Sequence, residues 1–122
     1  MTRTLLLLLA ILSAASPAAA EPCSTVASRY TIAETLRLAS EHRPVNIVFD
    51  TTADGVKVPD RIKAAFPGEM TIILQYQFER LTVKDDRFDV LLWFKGYPAR
   101  LFVPFAAIRQ FWDLGELKCS AS

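Results

Sequence analysis

Residues 88–108 constrain the fold more than any other stretch of this sequence, because they read as two strands joined by a tight turn. Apolar side chains recur at every second position in both halves, which places one face of the hairpin in a core. The core-facing positions are Phe88, Val90, Leu92, Phe94, Leu101 and Val103. The turn is predicted at residues 95–98, and a short helix is predicted to open at Pro104.

The second face of this hairpin is partly apolar as well, although a strand that is buried on one side only is usually polar on the other. Asp89 and Arg100 lie on it, but Leu91, Trp93 and Phe102 interrupt the charges. Two interpretations stay open. Either a helix or a second wall of a small barrel covers this face, or the three apolar residues line an exposed groove that binds a ligand.

The rest of the chain predicts short strands between turns. A helix is expected over residues 31–42, with Thr31 as its N-cap and Glu34 completing a capping box. A brief helical turn is expected at residues 59–65. The six predicted strands are residues 45–49, 56–58, 70–75, 81–83, 88–94 and 101–103. This pattern predicts a mainly β domain, a compact barrel or a two-sheet sandwich, with a helix near each end.

The beginning of the chain has the form of a secretory signal peptide. A basic start at Arg3 precedes an apolar run at residues 5–12 and a small-residue site that ends at Ala20. The run is too short to span a bilayer. We therefore expect residues 1–20 to be removed, leaving residues 21–122 as one domain that is periplasmic or secreted and not membrane-bound. A misassigned start codon, which would leave the protein in the cytoplasm, is the alternative.

The composition argues against several function classes. The 14 basic and 13 acidic residues become 13 of each once the signal peptide and its single Arg are removed. That balance offers no positive charge for nucleic acid. The one histidine, His42, lies between Glu41 and Arg43 and is expected to be solvated. Because metal-ligand clusters and phosphate-binding loops are missing from the sequence, we predict a non-catalytic protein without metal or cofactor.

The two cysteines, Cys23 and Cys119, lie near the ends of the predicted domain. In an oxidising compartment such a pair predicts a disulfide, while two unrelated thiols are the competing interpretation. A crosslink that closes a loop of about 100 residues stabilises a fold by roughly 4.7 kcal/mol in the chain-entropy model.

Two motifs carry a resemblance to a known family. FDTTADGVKVPDRIKAAFPGEMTIILQ at residues 49–75 and GYPARLFVPFAAI at residues 96–108 resemble the stringent starvation protein B family, over about residues 44–113. The resemblance implies an Sm-like, SH3-type β-barrel after an N-terminal helix that can form a homodimer interface. It also implies a proteolytic adaptor, which holds the peptide tag of stalled-translation products in a groove and tethers it to the ClpX unfoldase.

This sequence differs from the family's adaptors in its leader and in ending at Ser122 without the long acidic tail that tethers them to ClpX. The expected function is therefore that of an exported module that binds an extended peptide or unfolded protein segment. A structural or interaction domain of an exported dimer, without a peptide ligand, is one alternative. A cytosolic ClpXP adaptor with a misassigned start is another.

A peptide ligand would pair with a strand edge and place its side chains in apolar pockets. The candidate binding residues are those on the outward faces of the strands. Strand alternation assigns Leu91, Trp93 and Phe102 to that set, and it adds Ile73 and Gln75, which alternate with the core-facing residues of the 70–75 strand.

Overall fold

The computed structural model describes residues 20–121. Residues 1–19, which hold most of the predicted signal peptide, lie outside the described range. The described helices are α1 (Val26–Arg37) and α2 (Asp60–Ala65), and a 3₁₀ turn spans Phe105–Ala107. The strands are β1 (Val45–Asp50), β2 (Glu69–Leu74), β3 (Phe78–Val83), β4 (Arg87–Phe94), β5 (Tyr97–Pro104), β6 (Ile108–Asp113) and β7 (Glu116–Ser120). Neither of these helices is long and apolar enough to cross a membrane.

The strands form two antiparallel sheets, which confirms a mainly β fold. One sheet has the order β2-β1-β6-β7 and the other the order β3-β4-β5. The sheets do not close into a barrel, so the barrel expected from the resemblance is not confirmed. The reason is local: β2 and β3 are consecutive in the chain but separate at residues 75–77, and each pairs with a strand of a different sheet.

The hydrophobic core lies between the two sheets and beneath α1. Phe49, Phe88, Phe105 and Phe111 are fully buried, and the rings of Phe88 and Phe105 stack at 6.5 Å between centroids. The alternation that predicted the core face of the hairpin is confirmed for Phe88, Val90, Leu92, Leu101 and Val103, all of which are buried. Phe94, at the end of β4, is half-buried.

The N-terminal helix begins earlier than predicted. It spans Val26–Arg37 rather than residues 31–42, because Thr25 is the N-cap and its hydroxyl accepts a hydrogen bond of 3.0 Å from the Ser28 backbone N–H. Ile32 and Leu36 of this helix are fully buried. These two side chains hold α1 against the core.

The C-terminal helix predicted at Pro104 was wrong. A single 3₁₀ turn follows Pro104, and the chain then forms the β6–β7 hairpin. Strand β6 forms because Phe111 enters the core and pairs with Ile47 of β1. The hairpin closes through Leu114 and Gly115, whose φ angles of 52° and 80° suit a two-residue turn of the primed type.

The β4–β5 hairpin is confirmed, and its turn is tighter than the predicted four residues. Strand pairing continues to Phe94 and Tyr97, which leaves Lys95 and Gly96 as the turn, with φ angles of 51° and 83°. The strand predicted at residues 56–58 is reduced to one bridge between Lys57 and Phe102, with two backbone hydrogen bonds of 2.9 and 3.0 Å.

The two cysteines meet in the structure. Cys23 and Cys119 form a disulfide with their Cα atoms 5.0 Å apart, and both residues are buried. The bond joins the segment before α1 to β7. A backbone hydrogen bond of 2.8 Å from the Ser120 N–H to the Glu21 carbonyl lies beside it. The ends of the described chain are therefore fixed to each other and to the first sheet.

An exposed charge network ties together three strands of the first sheet. Arg109 of β6 donates to Asp50 of β1 at 3.0 Å and to Glu69 of β2 at 3.1 Å. Asp50 also accepts hydrogen bonds from the hydroxyl and backbone N–H of Thr52, at 2.6 and 2.7 Å. These bonds from Thr52, and secondarily Arg109, lower the pKa of Asp50 below its ordinary value.

We predict that the disulfide stabilises the fold. Removing it in a Cys23→Ala/Cys119→Ala variant should lower the free energy of unfolding by about 2–5 kcal/mol, because the unfolded chain is no longer crosslinked. Urea unfolding of the oxidised protein, the reduced protein and the variant measures this. Oxidised protein that titrates with two free thiols, or that unfolds at the same urea concentration as the variant, would contradict the prediction.

Asp50 should make the stability depend on pH in the acid range. Its pKa is lower in the folded than in the unfolded protein, so its contribution is complete above the unfolded value of about 4 and is lost as the pH falls through the folded pKa. Asp50→Asn should therefore be less stable than wild type at pH 7, with the difference narrowing below about pH 4. Urea midpoints of both proteins from pH 7 to pH 2.5 test this, and a pH-independent difference would refute it.

Candidate functional site: a groove between the sheets

An open groove of about 460 Å³ lies where the two sheets separate. Strand β2 contributes one wall and the adjoining ends of β4 and β5 contribute the other, with α2 adding one side chain. The lining residues are Ile62, Met70, Thr71, Ile72, Ile73, Gln75, Tyr76, Gln77, Leu92, Trp93, Phe94, Ala99 and Leu101.

The floor of the groove is apolar because it is the accessible margin of the core. Met70 and Ile72 face inward from β2, Leu92 and Leu101 face inward from the other sheet, and all four are buried. Ile62 reaches the floor from α2 and is fully buried. A ligand side chain that enters the groove would meet these apolar groups and release water from them.

Unpaired backbone borders the groove on both sides. Strand β2 is the end strand of its sheet, and its outer edge has no strand partner among the described residues. Strand β3 begins at Phe78, which pairs with Leu92, so Trp93 and Phe94 extend beyond it and have no partner on that side within residues 20–121. Such edges present N–H and C=O groups that can pair with another extended chain.

The rim carries exposed aromatic and amide side chains. Tyr76 is 71% exposed, Ile73 is 55% exposed and Trp93 is 39% exposed. Gln75 donates from its side-chain amide to the Glu41 carbonyl at 3.2 Å, which holds the rim against the segment after α1. All thirteen lining residues are uncharged. The groove itself therefore suits a neutral, largely apolar segment.

The structure brings together three of the five residues proposed from the sequence. Ile73, Gln75 and Trp93 all line the groove. Leu91 and Phe102 do not: each is half-buried on the outward face of the second sheet. Strand alternation identified the correct face for Trp93, but it could not show that the groove opens at only one end of β4.

Phe102 and Leu91 lie instead beside a partly buried ion pair. Arg100 donates a hydrogen bond to the Asp89 carboxylate, and its guanidinium lies 5.7 Å from the centre of the Phe102 ring. Leu91 pairs with Arg100 across the β4–β5 ladder. Part of this face is thus covered by its own side chains, and these contacts involve neither the helix nor the second barrel wall of the first sequence interpretation.

Sequence reasoning missed the floor and one end of the groove. Met70 and Ile72 resemble ordinary core residues in a strand pattern, and nothing in that pattern shows that their sheet separates from the next one. Tyr76 and Gln77 lie in the loop after β2, where an aromatic residue in a short polar turn was a usable signal. Ile62 lines the groove because of where α2 packs against the sheets. The periodicity of the sequence does not predict that position.

The described residues contain no candidate metal centre, and the one histidine lies on the surface. No group of three or more His, Cys, Asp or Glu side chains among them could hold a metal ion. His42 is exposed, and its ring lies 4.0 Å from the Glu41 carboxylate. Among the described residues, the groove is the best-formed candidate site.

Comparison with known proteins places the groove inside a family match. None of the curated proteins matches the chain. The family model described as stringent starvation protein B matches residues 25–115. That range begins at the N-cap of α1, ends in the β6–β7 turn and includes every residue that lines the groove. The chain therefore belongs to the stringent starvation protein B family.

Proposed function

We propose that this protein is a non-catalytic, adaptor-like module that binds an extended peptide or an unfolded protein segment in the groove between its sheets. The observation that carries the proposal is the combination of an apolar floor with an open strand edge along β2. An apolar floor alone suits many ligands, but a strand edge beside it favours a ligand with a regular backbone.

The ligand would add a strand to β2. Its backbone would pair with the outer edge of Glu69–Leu74, and every second side chain would turn toward the floor formed by Met70 and Ile72. Six paired residues span about 20 Å at roughly 3.3 Å per residue. Backbone pairing supplies affinity for many sequences, whereas the floor selects apolar side chains.

The distribution of charge along the other edge strands supports this use of β2. Edge strands are commonly protected from pairing by charged residues and bulges. Strand β3 has a bulge and exposed Glu79 and Arg80, and β7 has exposed Glu116 and Lys118. Residues 70–74 of β2 carry no charge and no proline. The edge beside the groove thus has less of that protection than the edges formed by β3 and β7.

We also propose that the protein acts outside the cytoplasm, with its signal peptide removed after Ala20. The Cys23–Cys119 disulfide is compatible with an oxidising compartment. An exported domain cannot reach the cytosolic ClpX unfoldase, so the proposed role is capture of a segment rather than delivery to that unfoldase.

The outer face of α1 supports a second candidate, an interaction domain that forms a homodimer. Val26 and Tyr30 lie one helical turn apart and are 74% and 68% exposed. They border a shallow depression that also includes Ala33. These residues are not part of the groove, so a dimer through α1 and a peptide in the groove are compatible.

We predict that Trp93→Ala weakens binding of an extended apolar peptide, because it removes an aromatic side chain from the rim. Loss of a central aromatic anchor commonly costs about 2 kcal/mol or more, roughly thirtyfold in affinity. Fluorescence anisotropy with a labelled peptide library measures this. Trp112→Ala is the matched control, since Trp112 is half-buried on β6 and does not line the groove.

Two further measurements make the result decisive. A peptide N-methylated at alternate residues should bind weakly when the methyl groups face β2, because they remove its donors. Trp93→Ala should stay more stable than Phe88→Ala, for which a core-cavity cost of about 3–5 kcal/mol is expected. If Trp93→Ala and Phe88→Ala destabilise the protein equally, Trp93 is a core residue. If the N-methylated peptide binds as tightly as the unmethylated one, strand addition is excluded.

Export gives a separate prediction. The mature protein should begin at Glu21 and be recovered outside the cytoplasm, because the leader has a cleavage site that ends at Ala20. Fractionation of cells that express C-terminally tagged protein, with mass measurement of the N-terminus, checks both points. An intact Met1 in the cytosolic fraction would contradict export and favour the cytosolic adaptor.

A further inference from the structure

We infer that the peptide bound in the groove carries an acidic side chain next to its apolar residues, and that Arg61 and Lys95 recognise it. This inference rests on the proposed function and deepens it, because it assigns two specificity-determining residues and the charge of the ligand. The lining of the groove is neutral, so this selectivity would come from residues just beyond it.

Lys95 is held beside a residue that lines the groove, and Arg61 is held beside residues that adjoin the lining. The Lys95 Nζ lies 5.6 Å from the centre of the Phe94 ring. Arg61 donates from Nη2 to the Pro98 carbonyl at 2.7 Å, and its guanidinium lies 5.6 Å from the centre of the Tyr97 ring. Phe94 lines the groove, as does Ala99, the residue after Pro98. The two charges therefore flank the groove where β4 turns into β5.

Neither cation has an acidic partner in the described part of the chain. Arg43, Arg100 and Arg109 each form an ion pair with a carboxylate, whereas Arg61 and Lys95 form none. Asp60 precedes Arg61 in α2 but does not pair with it. Both cationic side chains are exposed. Together they give a positive potential beside the groove, which favours a ligand of opposite charge.

The positions of these side chains are partly fixed before any ligand binds. Arg61 uses one of its five N–H donors on the Pro98 carbonyl, which leaves others for a carboxylate. Its contact with Tyr97 restricts it further, so less side-chain freedom is lost on binding. Lys95 occupies a left-handed turn position at φ 51°, where Asn or Gly would fit the backbone better. The turn thus has a charged side chain at Lys95, although the left-handed backbone there favours Asn or Gly over lysine.

The test compares peptides that are blocked at both ends and differ in one residue. An apolar peptide with Glu beside its apolar segment is titrated against the same peptide with Gln. Wild type should bind the Glu peptide about threefold to tenfold more tightly at low salt, since exposed ion pairs are individually weak. The preference should disappear near 1 M salt, where the Debye length falls to about 3 Å. It should also disappear in Arg61→Gln/Lys95→Gln.

Arg80→Gln/Lys84→Gln is the matched control, because it removes one Arg and one Lys that are exposed, form no ion pair and do not line the groove. Arg80 also has a left-handed φ of 54°. This control should keep the preference for Glu. If both double variants lose it equally, the effect comes from net charge alone and the inference is overturned.

The remaining outcomes separate this inference from the proposed function. Equal affinity of wild type for the Glu and Gln peptides, with binding still dependent on Trp93, would overturn the acidic specificity and leave peptide binding intact. Absence of binding by every peptide would overturn both. The same peptides are also titrated with an unblocked C-terminus. If Arg61 and Lys95 affect binding only of these unblocked peptides, the two cations recognise a C-terminal carboxylate and not an acidic side chain, which overturns the inference.

Discussion

The central position of β1 determines which edge of β2 is left open beside the groove. Strand β1 pairs with β2 on one side and with β6 on the other, and its buried Ile47 and Phe49 fix that register in the core. One edge of β2 is hydrogen-bonded to β1. The other edge of β2 has no strand partner among the described residues. The groove exists because the second sheet turns away at residues 75–77.

Much of the local structure was predictable because it depends on contacts between near neighbours. The β4–β5 hairpin follows from period-two burial and from Gly96, which supplies the left-handed turn. The C-terminal hairpin was missed because Pro104 followed by Phe105 and two alanines favours a helix start. The strand β6 that follows depends on Phe111 pairing with Ile47, more than sixty residues away. Local propensity contains no information about that contact.

The site was predictable to the extent that it depends on strand alternation. Alternation separates the outward Trp93 and Ile73 from their core-facing neighbours, and both lie at the groove. It assigned Leu91 and Phe102 to the same set, although these two lie beside the Asp89–Arg100 ion pair. The difference arises from where the sheets diverge, which is a property of the tertiary fold. Alternation along a strand tells which face of the sheet a residue lies on. Where along the strand the groove opens depends on how the neighbouring strands pair, which the strand's own sequence does not show.

The two edges of the first sheet differ, because one is crosslinked to the N-terminal segment and the other is open. In the order β2-β1-β6-β7, two strands separate β7 from β2, so at about 4.8 Å per strand the edges are roughly 14 Å apart. The β7 edge is fixed by the Cys23–Cys119 disulfide and the bond from Ser120 to Glu21. The β2 edge is open beside an apolar floor. The crosslink can therefore stabilise the domain without restricting the groove, because it acts on the opposite edge of the sheet.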